Sequence, residues 1–239
     1  MSTLLLVRHG QASLFTDDYD RLSDTGYRQA EALGKFWLER GIRPDSIYSG
    51  SMVRQQQTAN KVGEVFTESG ESWPSLILNA GLDEYPAEKI TESILPALRE
   101  VDNSFDELAS ELTSSKTHAG KYRSLHRLLE AVIERWVSND YGNAEVPVSW
   151  KTFSDGVRRA IRDVITNADS GKTIALFTSG GPIAVSVQTI LEAPDIKAAD
   201  LHWRVHNCSV TRYTFSGARV SLDAFNDISH LPADMHTYR

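Results

Sequence analysis

The sequence predicts an α/β fold: a three-layer sandwich with a mostly parallel central sheet, an antiparallel edge, helices on both faces, and a helical cap inserted at about residues 88–145. Three observations predict it. Short apolar runs alternate with longer amphipathic ones, the pattern of a sheet covered by helices. A long middle stretch carries helical periodicity alone. Two short runs near the end flank a glycine turn, as an antiparallel hairpin does. At 239 residues, a single domain over 1–239 can enclose a full core.

Each element has its own signal. Thr3-Leu4-Leu5-Leu6-Val7 is short and continuously apolar, as a strand buried on both faces must be. Ser23 or Asp24 can cap a helix to about Arg40, with Ala30, Leu33, Trp37 and Leu38 on one face; Gly41 ends it and Pro44 prevents its return. Residues 46–49 read as a second strand, and Ser51 can cap a helix through about Glu68. Leu76-Ile77-Leu78 reads as a third strand. From about 88 to 139 the pattern is helical, most clearly where Leu125, Leu128, Leu129, Val132, Ile133 and Trp136 share one stripe. This block interrupts the strand–helix alternation, hence the cap. Residues 139–147 form a polar return loop. A helix over about 150–168, a strand over 173–178 and a helix led by Pro182 come next. Strands over about 209–215 and 219–225 flank Ser216-Gly217-Ala218, and residues 229–239 read as a tail.

Composition excludes several classes. An apolar fraction of 41% and a charged fraction of 24% describe an ordinary globular protein. Leu4-Leu5-Leu6-Val7 is too short for a signal peptide or a membrane span, and no later stretch approaches the needed length. Cys208 is the single cysteine, so no intrachain disulfide can form. The expectation is a cytoplasmic protein with no membrane partner. A net charge of −7 lacks the basic footprint of a nucleic-acid binder. No metal-ligand cluster is visible, so no metal and no cofactor are expected.

Four motifs fall at the carboxyl ends of predicted strands, where open α/β sheets bind ligands. Arg8-His9-Gly10 ends the first strand. Imidazole is a competent nucleophile toward phosphorus, a guanidinium grips phosphate oxygens, and glycine admits close backbone approach. The bland reading is a strand-end histidine with ordinary hydrogen bonds. Arg54 falls in the first turn of its helix, where amides and dipole already favour an anion; the alternative is a solvated helix face. Glu84, in Leu82-Asp83-Glu84, can protonate a leaving oxygen or be a plain loop acid. Phe177-Thr178-Ser179-Gly180-Gly181-Pro182 is a strand, a glycine turn and a helix start, a backbone anion site at Ser179 and Gly180. It lacks the spacing of a serine-nucleophile elbow. Gly171-Lys172-Thr173 fails as a phosphate loop, because the earlier glycine is missing at Thr166.

In order and spacing these motifs resemble the histidine phosphatase superfamily, the phosphoglycerate mutase-like clan. Val7-Arg8-His9-Gly10 is similar to its opening signature. The segment from Asp20 through Gly26 to Gln29-Ala30 is similar to the family's next conserved stretch. Residues 48–59 resemble the second arginine motif and Leu82-Asp83-Glu84 the acid motif. Asn207-Cys208-Ser209-Val210 and Asn226-Asp227-Ile228-Ser229-His230-Leu231 resemble the closing strands. The likeness covers most of the chain outside residues 88–145. It implies a phosphohistidine at His9, phosphate held by Arg8 and Arg54, and Glu84 as general acid and base, without metal.

The pattern breaks in two places. Ser179 stands where the family carries a second histidine, so a neutral donor replaces a charge-assisted one, a loss on the order of 1–3 kcal/mol. His202 and His206 lie shortly downstream; each is a loop or core histidine, or a substitute for the missing one. After the first motif, Gln11-Ala12-Ser13-Leu14-Phe15-Thr16 lacks the Trp-Asn pair of the mutases. The expected activity is therefore phosphomonoester hydrolysis on a small phosphorylated substrate or phosphoprotein segment. The alternative is a catalytically weak relative that binds a phosphorylated ligand or partner; a phosphoglycerate mutase is less favoured. The cap's Lys116, His118, Lys121, Arg123, His126 and Arg127 either meet remote anionic groups of a substrate or form a solvated face.

Overall fold

The computed structural model describes residues 1–12 and 20–238. Ser13 to Thr16 of the segment after the first motif, the side chain of His118 and Arg239 lie outside the described residues.

Among the described residues, six strands form one sheet: β1 (Ser2–Arg8), β2 (Ser46–Ser49), β3 (Leu76–Leu78), β4 (Thr173–Thr178), β5 (Val210–Ser216) and β6 (Arg219–Asp227). Their spatial order is β3-β2-β4-β1-β5-β6. The first four are parallel, while β5 runs antiparallel to β1 and β6 to β5. The apolar continuity of β1 now has its cause. Leu5 and Val7 face α1 (Asp24–Glu39) and α2 (Val53–Glu68), packing with Ala30, Leu33, Trp37, Val62 and Phe66. Leu4 and Leu6 face α6 (Trp150–Thr166) and α7 (Gly180–Ile190), packing with Ala160, Val164, Ile183 and Val187. Ala175 and Phe177 of β4 join the first layer, Ile174 and Leu176 the second. Truncating a fully buried side chain such as Leu6 to alanine removes about 2–5 kcal/mol. That rigidity holds the strand ends, where the candidate residues lie.

Residues 87–137 carry three helices: α3 (Ala87–Val101), α4 (Ser104–Ser114) and α5 (His118–Val137). Ile90, Ile94, Leu98, Phe105, Leu128, Leu129, Val132, Ile133 and Trp136 form their core, and it continues into Tyr85, Trp150, Ala184 and Trp203. The α5 stripe is the one its spacing predicts. Among the described residues, no helix is long and apolar enough to cross a membrane.

Several local expectations are corrected. Ser51 does not cap α2: its amide and hydroxyl engage Asp83, 2.5 Å in each case, and Met52 is the cap residue. Helix α6 stops at Thr166. Pro182 is the third residue of α7, still within the first turn, where a missing N–H leaves no intrahelical gap. A short helix, α8 (Ile196–His202), lies between α7 and β5. The last residues dock rather than trail. Gln29 Nε2 donates to the Met235 carbonyl (2.7 Å) and Thr237 Oγ1 (2.9 Å), and Asn207 N donates to the Thr237 carbonyl (2.8 Å).

Candidate active site

Strand β1 delivers Arg8 and His9 to the carboxyl edge of the sheet. The backbone at His9 is held on both sides: its N–H donates to the Thr178 carbonyl (2.9 Å), and its carbonyl accepts from Cys208 N (3.1 Å). Gly10 is required by close approach, because a Cβ there would lie 2.5 Å from the Gly26 carbonyl oxygen. Its N–H donates to Thr58 Oγ1 at 3.0 Å, tying the motif to α2.

The imidazole of His9 makes short contacts to Gly10 and Arg54. Nδ1 lies 2.7 Å from the Gly10 carbonyl oxygen, and Arg54 Nε lies 3.1 Å from Nε2. A guanidinium N–H can only donate, so Nε2 accepts and Nδ1 carries the proton that Gly10 receives. The lone pair at Nε2 therefore points at the guanidinium.

Arg54 is fixed by Asp20. The Asp20 carboxylate accepts from Arg54 Nη1 (2.7 Å) and from Val53 N (2.9 Å). One side chain thus satisfies an orphan amide of α2 and braces a cation over the same helix start. Arg8 Nη1 donates to the Val205 carbonyl, and its charge acts on Glu84.

Glu84 arrives after β3 through a 3₁₀ turn, Ala80–Leu82. Oε2 accepts from Gly181 N (3.0 Å), in the first turn of α7, and Oε1 from Tyr85 N (3.2 Å). Burial pushes the carboxyl above the usual carboxylate range, against the Gly181 amide and the charges of Arg54 and Arg8. A Cβ on Gly181 would lie 2.1 Å from Oε1, so only glycine leaves room for this carboxyl.

Ser179 is buried, and its hydroxyl makes no capping bond on α7; it accepts from Gln55 Nε2 at 2.8 Å. Gln55 also donates to the Leu82 carbonyl (3.1 Å), which links the starts of α2 and α7 to the loop carrying Glu84. Gly180 faces His202, whose ring atoms lie 3.4 Å from the position a Cβ would take. His202 Nδ1 is 3.9 Å from Glu84 Oε2. His206 lies elsewhere, its backbone N–H on Asn226 Oδ1 (2.7 Å) and its ring 4.1 Å from that of Tyr238. Burial, with Arg8 among its neighbours, pushes that imidazole down.

The structure thus interlocks His9, Arg54, Glu84, Ser179 and Gly180, with Arg8 close enough to act on the Glu84 carboxyl. Sequence reasoning missed Asp20, Gln55 and the placement of His202. Asp20 lies ahead of α1, with no spacing rule tying it to Arg54. Gln55 is one of three successive glutamines: Gln56 turns to the Ser51 carbonyl and Gln57 to Leu22 N. On α5, Arg127 pairs with Glu111 of α4 (2.6 Å) on an exposed face, and the His126 ring lies 4.7 Å from that of Trp203.

Known proteins resemble this chain in sequence and in fold. The profile of the histidine phosphatase superfamily (branch 1) matches residues 4–110 and 87–228. A phosphoglycerate mutase of Candida albicans is 42% identical over 66 residues, 25% of this chain and 27% of that protein. The mitochondrial serine/threonine-protein phosphatase Pgam5 of Drosophila yakuba is 42% identical over 59 residues, 24% of this chain and 20% of that protein. The match therefore spans under a third of either relative's length. A phosphoserine phosphatase structure from Entamoeba histolytica shares the fold, with TM-score 0.64 and 19% identity over 97% of this chain and 100% of that one.

Proposed function

The chain belongs to the histidine phosphatase superfamily, and from that premise we propose that it hydrolyses phosphomonoesters through a phosphohistidine on His9. The observation that carries this reading is the fixed tautomer: Nδ1 is tied to Gly10 at 2.7 Å, and Nε2 presents its lone pair to Arg54 at 3.1 Å. A phosphoryl oxygen entering the site takes over the Arg54 N–H, and that exchange frees Nε2 to attack phosphorus.

The first step forms the Nε2–P bond and breaks the ester P–O bond. Glu84 donates its proton to the leaving oxygen, a role suited to a carboxyl whose burial favours the protonated form. Arg8 and Arg54 neutralise the equatorial oxygens, and the Ser179 hydroxyl with the Gly180 amide supplies neutral donors. Ser179 accepts from Gln55, so its own O–H remains directed by that bond. In the second step water attacks phosphorus, the N–P bond breaks, and Glu84 recovers a proton from the water. Atoms balance: ester and water become alcohol and phosphate. The substrate is a small phosphorylated molecule or a phosphoprotein segment.

Ser179 favours a second reading, a catalytically weak relative that binds a phosphorylated ligand, since its hydroxyl stands where the family resemblance expects an imidazole. The test is a phosphomonoester screen in chelator on wild type and His9→Ala. Hydrolysis by wild type that the variant lacks supports the first reading. Tight phosphate or vanadate binding without turnover supports the second. Phosphoglycerate isomerisation without hydrolysis would point to a mutase.

A further inference from the structure

His202 sits on α8, buried, between the start of α7 and the loop carrying Glu84. Its ring lies against Gly180, where no side chain intervenes. Nδ1 is 3.9 Å from Glu84 Oε2 and 3.4 Å from the Tyr85 hydroxyl. Tyr85 and Trp203 pack against the ring, with centroids at 5.3 and 4.7 Å, and His126 of α5 also packs against Trp203. Among the described residues, Glu84 and Tyr85 are polar groups facing this imidazole, beside Trp203 and Gly180, and Arg8 and Arg54 act on Glu84. The two bonds that Glu84 accepts come from backbone amides, which do not change during a reaction. Among the described residues, His202 is a titratable side chain beside that carboxyl, and it can respond when the carboxyl gains or loses its proton.

We infer that His202 is a positioning residue for Glu84: its ring walls the carboxyl against the Gly181 amide, and Nδ1–H closes onto Oε2 whenever Glu84 has given up its proton. The Tyr85 hydroxyl, which can donate or accept, turns to match either state of Nδ1. The closing motion needed is small, because 3.9 Å exceeds a normal hydrogen bond by about 1 Å. The gain appears only as the leaving oxygen takes the proton, so it lowers the barrier rather than strengthening substrate binding.

This inference rests on Glu84 being the proton carrier, and the test separates the two ideas. An alkyl phosphate has a strongly basic leaving alkoxide that must be protonated; p-nitrophenyl phosphate does not. kcat/KM is measured for both on wild type, Glu84→Gln, His202→Met and His202→Gln. Methionine fills the wall without a donor, and glutamine restores an N–H.

Glu84→Gln should lose about 100-fold or more on the alkyl ester and far less on the aryl one. His202→Met should lose about tenfold on the alkyl ester, with a much smaller fall on the aryl one and in kcat rather than KM. His202→Gln should regain part of that loss. Equal losses on both esters in His202→Met, or no regain in His202→Gln, overturn the positioning role while Glu84 stands. Equal losses in Glu84→Gln overturn the reading of Glu84 and this inference with it.

Discussion

Gly181→Ala isolates the placement of Glu84 from the stability of the fold. The added methyl would lie 2.1 Å from Oε1 and 3.0 Å from two ring carbons of Tyr85. A carbon–oxygen contact at van der Waals separation needs about 1 Å more, so the carboxyl must swing away and release the 3.0 Å bond from Gly181 N. The displaced atom is the end of a flexible side chain, so backbone strain is small. Gly181 is the second residue of α7, and alanine there gains up to about 1 kcal/mol of helix propensity. The overpacking cost against Tyr85 is of similar size, about 1 kcal/mol, so net stability should move little. Catalysis should move far more: a displacement of about 1 Å in a proton donor costs about 100-fold. Thermal unfolding and steady-state kinetics on an alkyl phosphate measure the two effects. A variant with unchanged melting temperature and kcat within about threefold of wild type would refute the claim that this carboxyl, in this place, moves the proton.

Two further perturbations probe the scaffold. Asp20→Ala removes the acceptor for Val53 N and the brace on Arg54, and should cost about 1–2 kcal/mol, because the carboxylate is partly exposed. Melting should fall by about 2–4 °C per kcal/mol, and KM for a phosphomonoester should rise as Arg54 loosens; unaltered KM and melting would show the brace to be idle. Burial holds the His230 imidazole down at about 4. Its folded-state value lies below the unfolded one of about 6.5, so its contribution is intact above that pH and is lost as pH falls through about 4, on the order of 3 kcal/mol in all. Urea midpoints at pH 7.5 and 4.5 should therefore diverge in wild type and less so in His230→Asn; parallel behaviour would exclude His230 as the cause.

The legible parts of the fold rest on local chemistry. β1 reads as buried because Leu4 and Leu6 face one helical layer while Leu5 and Val7 face the other, which demands an unbroken apolar run. The α5 stripe and the α1 cap at Ser23, which accepts from Gly26 N at 3.1 Å, are equally local. Arg54 could be placed at a helix start because the helix signal surrounds it. The parts that escaped are long-range. The α2 amide at Val53 is satisfied by Asp20, 33 residues upstream, so the nearest hydroxyl, Ser51, was the natural but wrong choice. The tail docks through bonds to Gln29, 206 and 208 residues away, that no periodicity announces. Helix α8 is short and has no side-chain cap bond, and without it His202 could not be set beside Glu84 rather than in a loop. Gln55 cannot be told from Gln56 and Gln57 until the helix direction is known.

Turnover, in this mechanism, depends on the lone pair of one ring nitrogen. Rapid quench of the enzyme with a ³²P-labelled phosphomonoester, then peptide mapping, tests it directly. The prediction is a single acid-labile, alkali-stable label on His9 that forms and decays at the rate of turnover and is absent from His9→Ala. Turnover with no label on His9, or with the label on another residue, contradicts it.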